Sequence, residues 1–129
     1  MKRSEVHSFL VLFLLGSIGC RASPPSEPER LPPEAVVRHR QALILFDRGE
    51  YKPCVEALRD WLGRHEAAQP DLGASARFFL ALSHHRLGET GKARDALQDI
   101  CRRYAARPDT DPASRWRRWA EEQLRILGE

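Results

Sequence analysis

The sequence predicts an all-α protein, a short solenoid of antiparallel helical hairpins with five helices. Two observations predict it. From residue 34 onward apolar residues recur at helical spacing, and no segment alternates in the manner of a strand. Small residues also return with a period of 39: Ala35, Ala74 and Ala113 form one series, Ala42, Ala81 and Ala120 a second, and Gly49 matches Gly88. A fixed period of this length, with two helices per unit, marks stacked hairpins in which each unit buries its apolar face on the next. Composition agrees. The chain of 129 residues has 8 Gly and 2 Tyr and is rich in Ala, Leu, Arg and Glu, which favours helix.

The elements follow in order. Pro33 suits a helix start, so the first helix spans residues 34–48 and ends at Gly49. Pro53 opens the second, over 52–67. The third runs from 73 to 87 and stops at Gly88. Thr90 is a side-chain N-cap for the fourth, over 90–106. Asp111 caps the fifth, with Pro112 at its first helical position, and that helix reaches Leu127. The third helix is apolar on two faces: Phe78, Leu82 and His85 share one, while Ala76, Leu80, Ser83 and Leu87 lie opposite. Such a helix is either sandwiched in a stack or lines a groove.

The first 33 residues obey other rules. Lys2 and Arg3 precede an apolar run over residues 9–18, which at ten residues is too short to span a bilayer. Small residues follow, so residues 1–19 read as a secretory signal peptide. The stretch Ser17-Ile18-Gly19-Cys20 resembles the bacterial lipobox, with Ser17 where Leu is usual. That resemblance implies cleavage before Cys20 and a diacylglyceryl thioether on its sulfur. The other reading is an ordinary signal with a chance cysteine. Residues 20–33 hold five prolines and no apolar period, an extended tether that would set the domain roughly 40 Å from the lipid. Arg21, where an Asp would signal inner-membrane retention, favours the outer membrane of a bacterial cell envelope.

The helical body, over residues 34–129, resembles the tetratricopeptide repeat, whose pattern is Trp-x₂-Leu-Gly-x₂-Tyr, then Ala-x₃-Phe, then Pro. The middle unit has Arg77-x₂-Leu80-Ala81-x₂-His84, then Ala93-x₃-Leu97, then Pro108. The first has Arg38-x₂-Gln41-Ala42-x₂-Leu45, then Cys54-x₃-Leu58, then Pro70, and the last half-unit has Trp116-x₂-Trp119-Ala120. The period of 39 exceeds the family's 34, which assigns about five extra residues to the loops after the second and fourth helices. The resemblance implies a right-handed stack of about two and a half repeats. It also implies a concave, partner-binding surface on the first helices of the hairpins. The positions are His39, Leu43 and Phe46, then Phe78, Leu82 and His85, then Arg117, Glu121 and Leu124. Leu43, Phe46, Phe78, Leu82, His85 and Arg117 are the partner-binding candidates, and the alternative is that these residues bury one another.

Other features are weighed against ordinary packing. Cys54 and Cys101 occupy unequal positions on their helices, so they are expected as buried free thiols. His84 and His85 point about 100° apart with no third ligand at helical spacing, so no metal site and no cofactor are expected. His84 suits the family's aromatic core position. The stretch "SRWRRWAEEQLRIL" carries Ala113, Trp116, Trp119, Ala120, Leu124 and Leu127 on one face, an amphipathic closing helix. Trp116 and Trp119 could also join two copies in a homodimer. Arg102, Arg103 and Arg107, added to the arginines of this helix, form a basic end suited to anionic lipid or an acidic partner. No Gly-rich phosphate loop or Gly-x-Ser-x-Gly elbow is present, and no enzyme activity is expected. A net charge of +3 does not call for nucleic acid. The expected role is a lipid-anchored interaction or scaffold module with a protein partner in the envelope.

Overall fold

The computed structural model describes residues 33–128, so the signal peptide, Cys20 and the tether up to Pro32 lie outside the described residues. There are five helices: α1 (Glu34–Asp47), α2 (Tyr51–His65), α3 (Pro70–Arg86), α4 (Thr90–Arg103) and α5 (Pro112–Gly128). No strand occurs among the described residues.

The turns within the two hairpins are built alike. Gly49 and Gly88 adopt φ of +78° and +81°, a region open to glycine at no steric cost. Each closes its helix by the same pair of hydrogen bonds. Gly49 N–H donates to Phe46 and Glu50 N–H to Leu45; Gly88 N–H donates to His85 and Glu89 N–H to His84. This is the Schellman arrangement, which satisfies the last carbonyls of the helix. The starts differ from expectation. Glu89, not Thr90, stands at the cap of α4, and it makes no side-chain cap bond. Its carboxylate is taken by the His84 ring, with Nδ1 and Oε1 2.7 Å apart. Asp111 does cap α5, accepting from Ala113 N–H at 2.8 Å.

Helix α3 begins at Pro70 rather than at residue 73. Pro70 is preset for the first helical position, so residues 70–72 lengthen α3 at the expense of the preceding loop. Gly73 reads as a boundary but is required inside the helix. A Cβ there would lie 2.7 Å from Glu66 Cγ and 3.2 Å from the Tyr104 hydroxyl oxygen.

Packing centres on α3, the one helix in contact with all four others. One core joins Ala35, Ala42, Cys54, Leu58 and Trp61 of the first hairpin to Ala76 and Leu80 of α3. A second joins Ala74, Phe78 and Ala81 of α3 to Leu97, Ile100, Tyr104, Ala113 and Ala120. Helices α2 and α4 do not touch, and both Cys54 and Cys101 are free thiols. Cys54 is buried, whereas Cys101 is only partly so. His84 is buried, as expected for a core position.

A charged cluster fixes the junction of α2, α3 and α4. Arg77 grips Glu66 with two parallel bonds, at 2.6 and 2.7 Å, and reaches Asp99 at 3.4 Å. The Tyr104 hydroxyl lies 3.2 Å from the Pro70 carbonyl oxygen and 3.3 Å from Glu66 Oε2. Burial and the neighbouring Glu66 charge push that phenol up to about 12. Burial also pushes the Glu66 carboxyl upward, but Arg77's hydrogen bonds and charge, helped by Arg103 and Tyr104, outweigh it and leave Glu66 below its ordinary value of 4.5. A carboxyl with a depressed folded pKa stabilises above its unfolded value and loses that contribution as pH falls through the folded one. Arg77→Met is therefore expected to cost about 3 kcal/mol in urea unfolding at pH 7, because it strands a shielded carboxylate. Glu66→Gln is expected to flatten the fall in stability below pH 4.5, measured as unfolding midpoints from pH 7 to pH 3.

Candidate functional site

The first helices of the hairpins, α1 and α3, together with α5, carry a continuous line of rings. Tyr51, at the start of α2, meets Phe46 of α1 at 5.4 Å, and Phe46 meets Phe79 of α3 at 5.2 Å. Phe79 lies 6.0 Å from Phe78 and 6.0 Å from Trp116. Phe78 then meets Trp116 at 5.5 Å and Trp119 at 6.0 Å, and the two tryptophans meet edge to face at 5.0 Å. These separations and tilts are those that aromatic pairs favour. The line exists because Phe78 and Phe79 are adjacent on a helix and so diverge by about 100°. Phe79 faces α1 and Phe78 faces α5.

Cations sit on both ends of the line. The Arg86 guanidinium lies 5.7 Å from the centroids of Phe46 and Tyr51 and donates to the Tyr51 hydroxyl at 2.8 Å. Arg115 lies 5.9 Å from the Trp119 ring. Both are cation–π distances.

The six partner-binding candidates separate here. Leu43 and Leu82 are half-buried and His85 is exposed, so these three reach the surface, and half-buried Phe46 is one of the rings itself. Phe78 is 7% exposed and works as core. Arg117 is turned inward: Nη1 donates to the carbonyls of Tyr104 and Ala105, at 3.3 and 3.0 Å, and so closes the C-terminal end of α4. Its side chain keeps only 16% exposure. Of the other positions on that surface, His39 is buried edge-on against Trp61, with ring centroids 5.4 Å apart. Desolvation lowers its pKa, so it is held neutral. Sequence reasoning passed over Phe79 and Arg86. The signal available for Phe79 was the Phe-Phe pair on a helix that needs two apolar faces.

The basic end is largely spent on the protein's own acids. Arg102 pairs with Asp99, Arg107 with Asp111 at 2.7 Å, and Arg117 and Arg118 with Asp109 at 3.4 and 3.7 Å. Trp119 also departs from expectation. It does not lie with the buried residues of α5 but is 47% exposed.

Among the described residues no three His, Cys, Asp or Glu side chains converge as a metal set, and no helix is long and apolar enough to cross a membrane. No protein-family model, curated protein or solved structure matches the chain. Arg117→Ala is expected to lower stability by about 1.5–3 kcal/mol, the range for hydrogen bonds to a charged donor. Thermal unfolding followed by circular dichroism measures it, and an unchanged midpoint would return Arg117 to the surface candidates.

Proposed function

We propose that the helical body is a protein-interaction module, a short tetratricopeptide-like stack carried on a lipid-anchored envelope protein. The observation that carries this reading is the ring line from Tyr51 to Trp119, edged by half-buried Leu43 and Leu82, exposed His85 and the stacked Arg86. Aromatic and Arg side chains at a partly desolvated surface are what protein interfaces select. The hairpin packing supports the repeat assignment. Each second helix lies on its own first helix and on the helix that follows, and the two Schellman turns are 39 residues apart.

In this reading Cys20 is the lipid attachment point and residues 21–33 hold the body away from the membrane. A partner segment lies across α1 and α3, burying apolar groups on Leu43 and Leu82 while Arg86 and His85 fix its orientation. A single acyl chain holds a protein only marginally and two hold it stably, so the diacylglyceryl group suffices as the anchor.

The test places a photoreactive phenylalanine analogue at position 82, or at position 92 on α4, in the full chain within the bacterial envelope. A defined adduct from position 82 and none from 92 is the expected result. Equal labelling, or none, removes the interaction surface. The anchor is tested separately: Cys20→Ala is expected to move the protein from the membrane fraction to the soluble one.

A further inference from the structure

The receptor that holds Glu66 has a counterpart one repeat earlier. Arg77 binds the Glu66 carboxylate at 2.6 and 2.7 Å, the Tyr104 hydroxyl lies 3.3 Å from it, and the Arg103 charge also favours it. Asp99 takes the other side of Arg77 at 3.4 Å. Shifted back by the period of 39, Arg77, Asp99, Arg103 and Tyr104 become Arg38, Asp60, Arg64 and His65. All four line one cavity of about 180 Å³ between α1 and α2, walled also by Ala42 and Trp61. The carboxylate receptor is thus built twice, and among its four polar members only the tyrosine is changed, to His65.

In the second hairpin the carboxylate arrives from the connection before α3. In the first hairpin the local acids do not reproduce it. Arg38 meets Glu34 through one nitrogen at 3.4 Å, and Arg64 meets Asp60 at 3.0 Å, each an i, i+4 pair between exposed side chains. Such pairs are weak, whereas the Arg77–Glu66 pair is two-pronged and shielded. The residue 39 before Glu66 is Glu27. Glu27 precedes Arg38 by eleven residues, as Glu66 precedes Arg77, and it precedes Ala35 by eight, as Glu66 precedes Ala74. The tether therefore carries an acid at the register that this cavity calls for.

We propose that Glu27 of the tether seats on Arg38 and closes this cavity, as Glu66 seats on Arg77 one repeat later. Charge, register and length select this occupant together. The chain between Glu27 and Ala35 is as long as that between Glu66 and Ala74, so the acid reaches its seat without a longer loop. Glu29, the other acid nearby, falls on Ala68, an exposed residue. A seated Glu27 leaves residues 21–26 as free tether. At about 3.1 Å per residue these reach roughly 20 Å, half the span of the unseated segment. Leu43, Leu82 and His85 do not line the cavity, so the inference stands apart from the partner reading.

Amide hydrogen exchange of the purified full chain, read over α1, tests it. Glu27→Gln and Arg38→Gln are each expected to speed exchange in α1 about tenfold, as suits loss of a charged hydrogen bond. The double variant is expected to exchange no faster than either single, because both remove the same interaction. Glu29→Gln is expected to leave the rates unchanged. A silent Glu27→Gln, an additive double variant, or an equal effect of Glu29→Gln would each overturn the proposal. Rates that depend on protein concentration would give the cavity to Glu27 of a second copy and overturn the seat within one chain. Photocrosslinking from position 82 does not depend on the outcome.

Discussion

Everything in the body depends on α3 being coverable on both sides. Helices pack at 8–10 Å between axes only where side chains permit it. Just past its first turn, α3 offers Gly73, Ala74, Ser75 and Ala76 in succession, all buried. Four consecutive residues cover every direction around a helix, so here the helix has no solvent face. Beyond that stretch, Phe78 and Leu80 fill the diverging spaces toward the two cores. Ser83, deeply buried, removes its own polar cost by donating to the Phe79 carbonyl at 2.8 Å.

The charged cluster at the base of α3 follows from the same crowding. Small residues let the α2 end and the α4 end come close, and the polar groups arriving there must be paired or pay a desolvation penalty. Arg77 meets this need because its planar guanidinium satisfies both oxygens of Glu66 at once and still reaches Asp99. Lys, a point charge on a flexible stem, could not match that geometry. The clamp constrains where α2 can end. Trp61, one turn earlier on α2, does comparable work, donating from its indole nitrogen to the Ala35 carbonyl at 2.7 Å and so tying this end of α2 to the first turn of α1.

Local pairing also governs what the surface can do. A net charge of +3 arises from 21 basic and 18 acidic residues, and several at the α4–α5 end pair across short distances. A line of rings through four helices is stiff, with few rotamers to lose, so a partner that docks beside it encounters a surface already ordered.

The amino-acid sequence alone determined the helices, their hairpin turns and the repeat register. Glycine at 49 and 88, Asp111 before Pro112, and the 39-residue return of alanine are local signals, and local backbone physics suffices to read them. It also marked α3 as two-faced, because periodicity is a property of one helix. The sequence could not tell Gly73 as a place of close approach from Gly73 as a helix boundary, since the difference lies in Glu66 and Tyr104, distant in the chain. Nor could it tell that Arg117 points to the α4 carbonyls while Arg86 lies over rings. Above all, only the tertiary structure decided that Trp119, which shares the apolar face of α5 with Ala113 and Ala120, stays exposed beside Phe78 and Trp116, because that depends on the space α3 leaves beside α5.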